Sequence, residues 1–116
     1  MNIYHIWCDL MPGMSDMEFA QAIDGYLGML EQRGSLRGYR LTRRKLGFGP
    51  KTLGEFHMAI EVDDLAMLDQ AFAQAASRTE PVEAAHHAVN HMVRNAQFAL
   101  YRDFPDPVRV TGQERF

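Results

Sequence analysis

Four stretches of this chain alternate apolar and polar residues with a period of two. Stretches of helical period separate the first from the second and the third from the fourth. The resulting order, strand-helix-strand-strand-helix-strand, constrains the fold more than any other feature. It predicts an α+β arrangement: a four-stranded antiparallel sheet with all its helices on one face, since both crossovers take the right-handed path. The second face of the sheet then needs another cover.

The first stretch, Ile3 to Leu10, places Tyr4, Ile6, Cys8 and Leu10 on one side and Ile3, His5, Trp7 and Asp9 on the other. Pro12-Gly13 ends it, and Ser15 with Glu18 forms a capping box at the start of a helix. Phe19, Ile23, Leu27 and Leu30 give that helix its apolar stripe, and Gly34 supplies the stop. A second strand is expected from Leu36 to Leu46, then a long hairpin connection rich in glycine. Glu55 to Val62 alternates most cleanly, with Phe56, Met58, Ile60 and Val62 on one side and Glu55, His57, Ala59 and Glu61 on the other. Asp63 is the expected cap of a helix carrying Leu65, Leu68 and Phe72 on one face. Pro81 opens a further helical segment with Val82, Ala85, Val89 and Met92 or Val93 inward. Asn95 to Arg102 forms the last strand. Residues 1–116 thus read as one domain, with 104–116 a C-terminal arm or, around Val108-Arg109-Val110, a short extra strand.

Composition narrows the classes. Apolar residues are 47% and charged residues 23% of the 116, the balance of a folded globule. A net charge of −3 offers no general attraction to nucleic acid or anionic lipid. One cysteine, Cys8, allows no internal disulfide and no cysteine-built metal site. Neither a signal peptide nor a membrane-length apolar run is visible, so a cytoplasmic location is expected. The third strand carries acids rather than stacking aromatics on its open side, which argues against RNA binding.

The open sheet face collects Ile3, His5, Trp7, Asp9, Arg40, Thr42, Arg44, Glu55, His57, Ala59, Glu61, Gln97, Ala99 and Tyr101. Leaving Trp7 in water would forgo roughly 2–3 kcal/mol of burial. A second copy packed face to face would cover it and enclose a polar-lined pocket, so a homodimer is predicted. Within that pocket His5 and His57, on strands expected to be adjacent, are the acid/base candidates, each sharing its face with a carboxylate, Asp9 or Glu61. Trp7, Asp9, Arg40, Glu61 and Tyr101 are the candidate ligand-binding residues. Cross-strand pairing at a dimer interface explains the same groups without chemistry. A metal held by His5, His57 and Glu61 is a lesser alternative. His87 and His91, four residues apart, face solvent, and His86 lies nearer the inward stripe.

The opening Tyr-His-Ile-Trp-Cys-Asp-Leu-Met-Pro-Gly and the later Ala-His-His-Ala-Val-Asn-His, set in this element order, resemble uncharacterised bacterial members of the dimeric α+β barrel superfamily. That superfamily has a ferredoxin-like βαββαβ fold and includes antibiotic-biosynthesis monooxygenases, haem-degrading oxygenases and stress-responsive barrel proteins. The resemblance implies a homodimer and, in its haem-degrading branch, a helical histidine that ligates iron, for which His86 is the positional match. The companion Asn and Trp of that branch have no counterpart here. The chain therefore reads as a small-molecule-binding protein with its pocket on the open sheet face, for which an oxygenase or isomerase that needs no organic cofactor is one candidate activity. The other reading is a non-catalytic interaction or stress-response protein whose polar face serves dimerisation. No organic cofactor motif is present; haem and metal are left open.

Overall fold

The structure is a computed structural model that describes residues 1–105 and Gly112. The proposed extra strand at Val108-Arg109-Val110 lies outside the described residues. Seven elements follow in order: β1 (Asn2–Leu10), α1 (Asp16–Gln32), β2 (Gly38–Arg43), β3 (Phe56–Val62), α2 (Leu65–Ala76), α3 (Val82–Asn90) and β4 (Val93–Arg102). The strands pair antiparallel in the order β2-β3-β1-β4, which puts β1 and β3 at the centre. This is the ferredoxin-like arrangement that the sequence pattern predicted.

Local chemistry sets the boundaries. The Ser15 hydroxyl accepts the Glu18 amide at 3.3 Å and starts α1. At the other end Gly34 takes φ +75°, and the Ser35 amide reaches back to the Leu30 carbonyl, closing the helix. The cap of α2 falls one residue later than expected. Asp64 accepts the Met67 amide at 2.9 Å, whereas Asp63 is occupied by the Arg37 guanidinium, whose Nε and Nη2 donate at 2.9 and 2.7 Å. That contact holds the Asp63 carboxyl below the usual carboxylate range.

β2 is shorter than the Leu36–Leu46 span the alternation suggested. Leu36 is buried as core rather than paired, and Leu46 leaves the strand with φ +55°. Arg44 turns into the hairpin, where Nη2 donates to the carbonyls of Pro50 (3.0 Å), Leu53 (2.5 Å) and Gly54 (3.3 Å). β4 begins at Val93 rather than Asn95. The register against β1 shifts between Trp7 and Asp9, and Asn95, at φ +56°, sits in the resulting β-bulge. The bulge adds a residue to β4, a change that period-two reasoning cannot see.

Phe19, Ile23, Leu27 and Leu30 of α1 pack on Cys8, Phe56, Met58, Ile60 and Val62 of the central strands, with Leu36, Leu68 and Met92 closing the core. α2 departs from expectation: Leu68 and Ala71 are its buried residues, while Leu65 and Phe72 are 60% and 47% exposed. Phe72 instead reaches the edge of the Tyr4 ring, with centroids 5.3 Å apart. β4 is an edge strand, and the helices cover it poorly. Phe98 and Leu100 on its helix side are 60% and 49% exposed. Among the described residues no helix is long and apolar enough to cross a membrane.

Candidate functional site

The open face forms a grid fixed by strand register. One row runs Arg40, Ala59, His5, Ala99; the next runs Thr42, His57, Trp7, Gln97; a third runs Gly38, Glu61, Ile3, Tyr101. His5 and His57 are thus diagonal neighbours on the two central strands, and their rings meet. His5 Nδ1 lies 2.8 Å from His57 Nε2, a hydrogen bond between imidazoles. Trp7 stacks on His57 with centroids 4.9 Å apart and lies 5.6 Å from His5. The Tyr101 ring stands edge-on to His5 at 5.0 Å. Burial, and then the neighbouring His5, push the His57 pKa below its usual value.

One proton arrangement satisfies all the contacts of this pair. Thr42 Oγ1 lies 3.4 Å from both the His57 carbonyl oxygen and His57 Nδ1. A hydroxyl has one proton, so donation to the carbonyl leaves Oγ1 to accept from His57 Nδ1–H. His57 Nε2 then carries a lone pair and accepts from His5 Nδ1–H. His5 Nε2 is left as a bare acceptor on the open face.

The other candidates are placed differently. Asp9 does not orient His5: its Oδ1 accepts the Glu55 amide at 2.9 Å and its Oδ2 accepts from the Asn95 amide at 3.2 Å. These two bonds, the backbone one foremost, hold its pKa low. Asp9 therefore ties the start of β3 and the β4 bulge to β1. Arg40 and Glu61 lie exposed in the grid, a row apart. Among the described residues no three His, Cys, Asp or Glu side chains converge, so the trio His5, His57 and Glu61 does not form a metal site.

A second site was not anticipated. A cavity of about 230 Å³ lies on the helix side of the sheet, opposite the face on which the sequence placed a pocket between two subunits. Tyr4, Ile6, Met58 and Phe98 form its floor, and Tyr26, Leu27, Phe72 and Val89 its helical walls. His86 provides an imidazole at the wall, 5.3 Å from the Tyr26 ring. Burial, and then Tyr4, raise the Tyr26 pKa, which keeps the phenol neutral. The cavity lies between α1, α2 and α3 and the poorly covered β4, whose Val93, Ala96 and Phe98 line it. No periodicity signals such a gap. The only sequence-level hint was a histidine, His86, beside an inward stripe.

A family model for DUF6614, described as a family of unknown function, matches residues 1–116, and the chain belongs to that family. No curated protein matches it. Solved structures share the fold at low identity. A protein of Arabidopsis thaliana is 9% identical, aligns over 95% of this chain and 100% of its own, and has a TM-score of 0.70. A dimeric ferredoxin-like protein of unknown function from Jannaschia sp. is 12% identical, covering 89% of this chain and 100% of that one, at 0.65. A protein of Deinococcus radiodurans described as a candidate antibiotic biosynthesis monooxygenase is 17% identical, covering 97% and 100%, at 0.56.

Proposed function

We propose that the protein is a homodimeric small-molecule-binding protein whose ligand enters the apolar cavity between sheet and helices. The observation that carries this reading is the cavity itself: about 230 Å³, apolar except for two phenols, Asn90 and an imidazole. Few polar groups in an apolar concavity is the usual composition of a ligand site. An empty void of this kind costs stability roughly in proportion to its volume, about 24 cal/mol per Å³, which a bound apolar molecule recovers. The dimer is supported by the half-exposed aromatic grid and by the description of the Jannaschia neighbour as dimeric.

The test is titration with toluene and naphthalene, followed by ligand-detected NMR and thermal melting. Binding that saturates at 100 times Kd raises stability by about 2.7 kcal/mol. Ala75→Phe, at the cavity wall, should remove both signals while circular dichroism stays unchanged. Undiminished binding in that variant, or none in the parent, would overturn the reading.

The 2.8 Å His5–His57 bond favours a second reading. In it the open face, closed by the partner, is an acid–base site for an isomerase or a cofactor-independent oxygenase, with His5 Nε2 taking the proton. Trp7 and Tyr101 would flank an apolar ring, and Arg40 would meet an anionic group. Loss of turnover in both His5→Ala and His57→Ala, with the dimer intact, would select it. A non-catalytic dimer predicts loss of association alone.

A further inference from the structure

The cavity opens onto a vestibule between α2 and α3, and the two share Phe72, Ala75, His86 and Asn90. The vestibule adds polar groups that the cavity lacks, Arg78, Glu83 and His87, and shares the His86 imidazole and the Asn90 amide with it. Arg78 occupies an unusual backbone position. It follows Ser77, the C-cap of α2, and takes φ +51°. Glycine is the usual residue at such a left-handed helix exit, because any Cβ is strained there. An arginine at this strained spot, where it lines the cavity mouth, points to a use for its side chain.

We infer that the ligand is an amphipathic monocarboxylate, its apolar body in the cavity and its carboxylate in the vestibule beside Arg78, with Asn90, His86 and His87 as further polar partners. This rests on the reading that the cavity binds a small molecule. A cavity of about 150 Å³ takes benzene, so this one suits a body of about nine carbons. The guanidinium fits a carboxylate with two parallel hydrogen bonds. Glu83 lines the same vestibule and opposes an anion, which makes the electrostatic argument testable in sign.

Octanoate and 1-octanol are the probes, measured by calorimetry on the full chain. Octanoate should bind more tightly than octanol. Arg78→Gln should weaken octanoate about tenfold, the loss of one charge-assisted pairing, and leave octanol unchanged. Glu83→Gln should tighten octanoate. Arg78→Gly separates binding from folding: it should raise the melting temperature by relieving the strained backbone, yet lose the same octanoate affinity. Equal binding of both probes, unaffected by Arg78→Gln, overturns the carboxylate inference and leaves the cavity reading standing; Arg78 would then serve only the end of α2. Failure of both probes to bind overturns the cavity reading and the inference with it.

Discussion

Of the described glycines, Gly54 leaves the least room for a side chain. A Cβ there would fall within the van der Waals envelope of the Cys8 backbone, and no flexible side chain is available to yield. Gly54→Ala should therefore cost about 2–3 kcal/mol, the scale of a forced overpacking, measured as a shift in urea midpoint at constant slope. Asp9 works beside it. Removing its carboxylate leaves the Glu55 amide and the Asn95 side chain without their acceptor. Asp9→Ala should lose about 1–2 kcal/mol by the same assay. An unchanged midpoint would show that these bonds are made equally well to water. Period-two reading put Asp9 on the correct face but assigned it to His5, because the bulge that brings Asn95 to it has no sequence period. The meeting of His5 and His57 was readable only as adjacency: facing follows from alternation, while the diagonal pairing needs the register.

Among the elements, those with a cap and a stripe were legible. α1 starts at Ser15 and stops at Gly34, where the sequence places both signals. Ser15→Ala should cost about 1 kcal/mol, read from thermal melting, because one first-turn amide loses its acceptor. What escaped were features decided by distant partners. Asp63 and Asp64 are equivalent as caps until Arg37 takes one of them. The inward face of α2 could not be deduced from Leu65, Leu68 and Phe72, since their spacing fits the stripe but the short helix leaves two of them outside. The hairpin after β2 is organised by Arg44 binding three carbonyls of the returning chain. Methionine keeps much of the aliphatic stem and removes every donor, so Arg44→Met should loosen residues 44–54, seen as faster amide exchange there than in β1. Equal protection in both segments would assign the hairpin's order to its glycines instead.

For the molecule as a whole, acid should weaken the association that the open face invites. His57 already has a lowered pKa, from burial and from His5. A second sheet over the grid removes more water and brings a second pair of imidazoles near, so the depression deepens on association. Among the described residues the direct contacts of His57 on this sheet are His5, Trp7 and Thr42, with no carboxylate to stabilise a cation. The unfolded state thus binds more protons than the folded one between the depressed pKa and the unperturbed value of about 6.5, and the separated subunit, whose own His57 is already lowered, binds more than the dimer only over the lower part of that window. In that window stability rises with pH, and it is lost as pH falls from about 6.5 toward the depressed value. Sedimentation equilibrium should give a dimer at pH 8 that dissociates progressively once the pH falls below the lowered His57 pKa of the separated subunit, itself under the usual histidine value, with Trp7 fluorescence moving to longer wavelength in step. His57→Gln keeps the polarity without the titration and should flatten that dependence. A dimer equally tight at pH 5 and pH 8 would place the imidazoles outside the interface, and a monomer at every pH would remove the face-to-face assembly altogether.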